Sequence, residues 1–317
     1  MAMNQRDELL KIFPLELREY LHDLDWYRED LEEIRIRVGQ PLQFIYGGRY
    51  TYIKESGNGF TDRWEHSLRV SPKQVQEMMM YLCEYSRYAY AKQLKNGFVS
   101  LAGGIRVGVA GEAIQDDNRF MGVEYPMFLN IRIPREYKGC ADWAVPYLFD
   151  GERLYDTLIL APPGAGKTTL LRDLLRQISN STDGKGVAIL DQRYEIAACH
   201  RGVPMNDVGL HSDVYSGYDK ALGCSQAIRT MAPRVVAMDE IGGEEEGEVL
   251  SYAMRCGISV VATMHAGSFQ EYEELRQQTK TYGTLKFQRI IWVSRRQDGK
   301  RMYELRDEGG NLLCVNT

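Results

Sequence analysis

The sequence predicts an α/β protein, with a parallel sheet flanked by helices in the second half and a smaller α+β domain before it. Three observations carry this. Short apolar runs recur in the second half ("DTLILA", "GVAILD", "RVVAMD", "SVVATMH"), with helical patterns between them. Such alternation marks parallel strands joined by crossover helices. A glycine-rich turn, "APPGAGKTT", joins the first of those runs to a helical stretch. The first 150 residues lack the alternation and mix helical stretches with strand pairs. The expected division is an N-terminal α+β domain over 1–138, a linker over 139–152 and a P-loop domain over 153–317.

In the first half, "RDELLKIFPLELREYLHDL" reads as two short helices broken at Pro14, because proline lacks the amide and clashes with the preceding turn. "EIRIRVGQPLQFIYGGRYTYI" alternates apolar and polar residues around a Gly-Gly turn and predicts paired strands. "SPKQVQEMMMYLCEYSRYAYAKQL" opens on Ser71 and Pro72 and predicts one continuous helix. Its Tyr85, Arg87, Tyr88, Tyr90 and Lys92 could stack on single-stranded nucleic acid; an amphipathic helix with interfacial tyrosines accounts for them more simply. "GFVSLAGGIRVGVAGEA" predicts a hairpin at Gly103-Gly104, and "KGCADWAVPYLFDGER" bridges to the second half. There, "FQRIIWVSRRQDGKRMYELRDEGGNLLCV" predicts a strand meander turning at Asp298-Gly299 and Gly309-Gly310, and "SNSTDGKG" a loop.

Composition bounds the function. The chain has 317 residues, 44% hydrophobic and 26% charged, as in soluble globular proteins. A net charge of -5 gives no global basic field and disfavours nucleic acid as a partner. The start carries early acids without an apolar signal core, and no run of 18 apolar residues could span a membrane. The six cysteines form no C-x-x-C pair and read as reduced thiols, which makes a cytoplasmic location the expectation.

The glycine-rich turn matches the phosphate-loop pattern G-x-x-x-x-G-K-[ST] except that Ala161 stands at the first glycine. The nucleotide cradle is Pro163, Gly164, Ala165, Gly166, Lys167, Thr168 and Thr169. Gly164 and Gly166 let the backbone curl its N–H groups toward phosphate oxygens, and the following helix adds its positive end. Lys167 reaches the β- and γ-phosphates and Thr168 offers its hydroxyl to Mg²⁺. Ala161 loses only conformational freedom. In "RVVAMDEIGG" an apolar strand delivers Asp239 toward the metal, and the adjacent Glu240 can polarise water. His265 ends the strand "VVATMH" at the same sheet edge and can sense phosphate or position water. "AILDQRYEIAA" offers Asp191, Gln192, Arg193 and Glu195 as catalytic or supporting groups. The acids of "EEEGEVLSYAMRCG" suit a helix start, with Gly257 as its stop.

Together these motifs resemble the stage III sporulation protein AA family, ATPases of spore-forming bacteria similar to type II and type IV secretion ATPases. The resemblance rests on "EIRIRVGQPL", "GFVSLAGGIRVGVAGE" and "NIRIPRE" in the first half. In the second it rests on "PPGAGKTTLLRD", "LDQRYEIAACHRGVP", "KALGCSQAIRTMAPRVVAMDEIGG", "TMHAG" and "FQRIIWVSRR". It implies a RecA-like core using ATP and Mg²⁺, and a hexameric ring of copies. It also implies peripheral attachment to the inner face of a membrane, beside an integral membrane protein of the channel joining mother cell and forespore. It maps nucleotide contacts onto Thr263 and His265 and a further arginine onto Arg229. Three positions depart from the family pattern: Ala161 for Gly, Gln192 for Glu and Gly243 for Arg. Gln cannot act as a base, so Glu240 or Glu195 must serve, and the departures imply slow turnover. A nucleotide-gated scaffold with little hydrolysis and a single-stranded nucleic-acid motor are the rival readings.

Overall fold

The computed structural model describes residues 5–86, 88–116, 119–181, 186–278, 283–295 and 300–317. The Asp298-Gly299 turn, residues 182–185 of the "SNSTDGKG" loop and Arg87 lie outside the described residues; 179–181 of that stretch are the end of a helix rather than loop. The chain forms two compact units that divide between Arg135 and Glu136.

In the first unit, α1 (Gln5–Ile12) and α2 (Leu15–His22) meet at Pro14, as the sequence requires. The strands are β1 (Leu31–Arg37), β2 (Gln43–Tyr46), β3 (Arg49–Ile53), β4 (Phe60–Thr61), β5 (Phe98–Ser100), β6 (Arg106–Asp116) and β7 (Arg119–Arg132). They form one antiparallel sheet in the order β4-β3-β2-β1-β7-β6-β5. Alternation sets its faces: Ile34, Ile36 and Phe44 point into a core built around Trp26 and Phe13. Gly103 and Gly104 take φ of +74° and +75° in the turn between β5 and β6.

The continuous helix expected after Ser71 is two helices, α3 (Pro72–Leu82) and α4 (Ala91–Lys95). Its start is as expected: the Ser71 hydroxyl accepts from the Gln74 amide at 3.2 Å, and the Ser71 amide donates to the Gln74 side chain at 2.8 Å. The stop lies at Glu84 and Tyr85, whose φ of +45° and +61° no α-helix tolerates. The tyrosines do not form one face. Tyr88 is exposed, whereas Tyr90 is buried with its hydroxyl on Glu84.

In the second unit the two-strand ribbon β8 (Phe149–Asp150) and β9 (Arg153–Leu154) precedes the main sheet. That sheet holds β10 (Thr157–Ala161), β11 (Val187–Asp191), β12 (Ser212–Ser216), β13 (Val235–Met238), β14 (Ser259–His265), β15 (Arg289–Arg295), β16 (Arg301–Asp307) and β17 (Leu312–Asn316). The order is β12-β11-β13-β14-β10-β15-β16-β17, parallel through β15 and antiparallel at β16 and β17. The helices are α5 (Lys167–Ser181), α6 (Lys220–Thr230), α7 (Glu244–Arg255) and α8 (Phe269–Gln278). Central strands are buried on both faces, which explains their unbroken apolar runs. Ile159 and Ala161 pack with Leu170, Leu171, Leu174 and Ile178 of α5. Leu158 and Leu160 pack on the opposite face with Ala227 of α6 and Leu250 of α7.

The stretch 139–152, expected as a linker, is instead part of this unit. Ala141, Ala144 and Leu148 are fully buried in its core. Buried Asp173 of α5 accepts the Ala141 amide at 2.9 Å. Small apolar side chains gave no periodic signal strong enough to show this packing in the sequence.

Candidate nucleotide site

Parallel topology brings the C-terminal ends of β10, β11, β13, β14 and β15 to one edge, where open α/β sheets bind ligands. Ala161 is the last residue of β10, fully buried and in register with His265 of β14. Extended strand backbone carries a Cβ without strain. The left-handed positions are Gly164 (φ +72°) and Gly166 (φ +104°), where glycine is retained. Pro163, Gly164, Ala165 and Gly166 then lead into α5, which starts at Lys167 and continues through Thr168 and Thr169. The first-turn amides of that helix have no partner within it and face the loop.

Lys167, Glu240 and His265 form one connected cluster. The Lys167 ammonium lies 2.9 Å from His265 Nδ1, and His265 Nε2 lies 2.9 Å from Glu240 Oε1. An ammonium only donates and a carboxylate only accepts, which puts the imidazole proton on Nε2 with Nδ1 accepting. Burial pushes the Lys167 pKa down, against the opposing pull of Asp239, Glu240 and Glu195. Burial raises the Glu240 carboxyl, but the His265 hydrogen bond and the Arg193 and Lys167 charges outweigh it and hold the pKa below normal.

Thr168 Oγ1 donates to Asp239 Oδ2 at 2.8 Å. The other Asp239 oxygen accepts from the Thr263 hydroxyl, which in turn accepts the Glu240 amide at 2.8 Å. Lys220 Nζ donates to the Glu240 carbonyl at 2.7 Å. These bonds hold Glu240 at φ +53°, a costly conformation for a side chain with a Cβ. The Arg193 guanidinium pairs with the second Glu240 oxygen. The lone hydroxyl and carboxylate of Thr168 and Asp239 are hard oxygen donors. No cluster of three His, Cys, Asp or Glu side chains that could hold a metal occurs among the described residues.

Glu195 lies four residues beyond β11, yet the chain turns back and it lines the same cleft as Asp239 and Glu240. The turn has a visible cause. Buried Asp191 accepts the amides of Glu195, Ile196 and Ala197 at 2.8, 3.2 and 2.9 Å. Burial raises the Asp191 pKa despite those amides; the residue lines the cleft, with its carboxylate taken up by the turn. Arg172 of α5 clamps the same turn through the carbonyls of Glu195 and Ile196 at 2.6 and 2.7 Å. Gln192 is exposed and lines the cleft, and Gly243 precedes the first turn of α7.

Arg229 is not brought into the cluster. It lies exposed in the last turn of α6, where Tyr252 of α7 feels its charge. Sequence reading missed Lys220, buried in the first turn of α6, and the arginines Arg295 and Arg301 at the loop. Lys and Arg in strand and helix termini give no local signal of what they reach across the fold.

Three comparisons bear on this chain. It is 32% identical over 319 residues to the stage III sporulation protein AA of Bacillus subtilis strain 168, spanning 98% of each protein. Its backbone is similar to the ATPase DotB of Legionella pneumophila, with a TM-score of 0.57 at 16% identity over 88% of this chain and 77% of that one. It is similar also to the pilus retraction motor PilT with bound ADP, with a TM-score of 0.61 at 15% identity over 98% of this chain and 84% of that one. The two structural likenesses show the fold, and the sheet described above is RecA-like. The profile of the sporulation stage III, protein AA family matches residues 3–313, and with the near full-length Bacillus relative it establishes that the chain belongs to that family.

Proposed function

We propose that the chain is a Mg²⁺-dependent ATPase that energises or gates a membrane-associated transport apparatus in sporulation, the channel between mother cell and forespore. The convergence of Lys167, Thr168, Asp239, Glu240 and His265 at the start of α5 carries this reading. The loop amides orient the polyphosphate, and Lys167 exchanges its His265 acceptor for a phosphate oxygen. Thr168 and Asp239 fit Mg²⁺, which takes few protein oxygens and completes its shell with phosphate and water. When bound, Mg²⁺ offsets charge on the β- and γ-phosphates. Glu240 orients a water and accepts its proton as the water oxygen attacks the γ-phosphorus and ADP leaves. To do so its carboxylate must give up at least one of its present partners, Arg193 or His265. Glu195 is the second candidate for that role.

The chain acts in a hexameric ring of copies, docked on an integral membrane protein at the inner face of the membrane. No described helix is long and apolar enough to cross a membrane. The test is single-turnover ATP hydrolysis by the full chain with Mg²⁺ and with EDTA, alongside native mass with and without nucleotide. Hydrolysis at the uncatalysed rate in Mg²⁺ overturns the enzyme reading. Nucleotide binding without hydrolysis supports a nucleotide-gated scaffold, the second reading, which the tethered Glu240 and the exposed Gln192 favour.

Ala161 bears on turnover little in this scheme. Ala161→Gly is expected to change the single-turnover rate by less than about tenfold, a barrier change of under about 1.4 kcal/mol. A larger rise in the same assay marks the present loop as impaired.

A further inference from the structure

Two arginines stand against the phosphate loop from an unexpected direction. Arg295 ends β15 and Arg301 begins β16, and the two are directly paired across that hairpin. Cross-strand partners share a sheet face. Here it is the α5 face, since Ile291, Val293, Tyr303 and Leu305 of the same alternation pack in the core with α5. Arg295 Nη2 donates to the Gly164 carbonyl at 2.9 Å. The Arg301 guanidinium lies against Gly166: a Cβ on that glycine would sit 2.9 Å from both Cζ and Nε. Glycine at 166 is required by its φ of +104°, and its missing Cβ leaves room for the guanidinium to lie this close.

The pair is electrostatically unbalanced. Like charges directly opposite on a sheet are destabilising. No carboxylate among the described residues pairs with either arginine. Arg301 has a cation–π contact, with its guanidinium carbon 6.0 Å from the centre of the Tyr137 ring. A half-buried guanidinium with five donors and no carboxylate partner among the described residues, set on a loop built for phosphate, is an incomplete site.

We propose that Arg301, braced by Arg295, binds the polyphosphate of the nucleotide held on the same chain's loop. The proposal rests on the ATPase reading above. It assigns Arg301 to phosphate binding and Arg295 to positioning, through the Gly164 carbonyl. Both arginines act in cis, whereas the arginine that the family pattern places after the "DEIG" segment is Gly243 here.

Titration of the full chain with a fluorescent ATP analogue and with the matching ADP analogue tests this in Arg301→Ala, Arg301→Lys and Lys167→Ala. Thermal melts with and without nucleotide accompany it. Arg301→Ala is expected to weaken binding by about tenfold or more, the loss for one charge-assisted hydrogen bond. Arg301→Lys should recover part of that loss. Without nucleotide, Arg301→Ala should melt no lower than the parent, because it removes a like-charge pair. With nucleotide, its melting shift should shrink.

Parent-like binding by Arg301→Ala, with Lys167→Ala impaired, overturns the proposal and leaves the ATPase reading standing. Parent-like binding and hydrolysis by Lys167→Ala overturns the ATPase reading itself. A lowered nucleotide-free melt with unchanged affinity assigns Arg301 a structural role and also overturns the proposal.

Discussion

Glu240→Gln is expected to keep ATP binding and to slow single-turnover hydrolysis by about 10²–10⁴-fold, the range for a general base. The amide keeps the shape and the hydrogen bond to His265 but cannot take a proton from water. The side chain follows Asp239 directly, its carboxyl is held ionised by His265, Arg193 and Lys167, and its backbone is fixed in a strained conformation. Glu195 is the rival, since the Asp191 turn brings it into the same cleft. Single-turnover rates of Glu240→Gln and Glu195→Gln at saturating Mg-ATP separate the two. Parent-like turnover in Glu240→Gln with an inactive Glu195→Gln moves the base to Glu195. Gln192→Glu is expected to raise the rate if a base was lost from that segment, because position 192 lines the cleft already.

Lys167→Ala is expected to weaken ATP binding by about 10–100-fold, the loss of a charge-assisted contact to phosphate. The folded chain itself should survive the change. Burial lowers the Lys167 pKa, so its ammonium is harder to hold in the folded chain than in the unfolded one. The nucleotide-free melting temperature should stay level or rise while affinity falls. Equilibrium titration and a melt of the same sample read both. A collapsed melt would mean that the Lys167–His265 contact holds the loop together, and unchanged affinity would remove the loop from nucleotide binding.

Much of the fold was legible along the chain. Buried parallel strands need continuous apolar runs, so β10, β11, β13 and β14 announce themselves, and α5 carries its periodic leucines directly behind the loop. Pro14 and the Ser71 cap act locally and worked as read. The helix break at Glu84 and Tyr85 was not legible, because both residues are compatible with helix and only the surrounding packing sets their positive φ. The packing of 139–152 was hidden for a similar reason: Ala141 and Ala144 owe their burial to α5, not to a pattern of their own.

The sequence by itself determined the chemistry of the candidate site. The loop, its lysine and hydroxyl, the Asp239–Glu240 pair and His265 each stand at a strand end or helix start, and local rules suffice to place them there. Only the tertiary structure decided which of them meet. The strand order sets β14 between β10 and β13, so His265 bridges Lys167 and Glu240. It turns Asp191 into the brace of the Glu195 turn, leaves Arg229 on the surface, and brings Arg295 and Arg301 from the far side of β10 onto the loop. The reason is physical. Backbone periodicity and end capping are short-range and written in neighbouring residues, whereas contacts between long charged side chains depend on sheet order and register, which the whole chain sets at once.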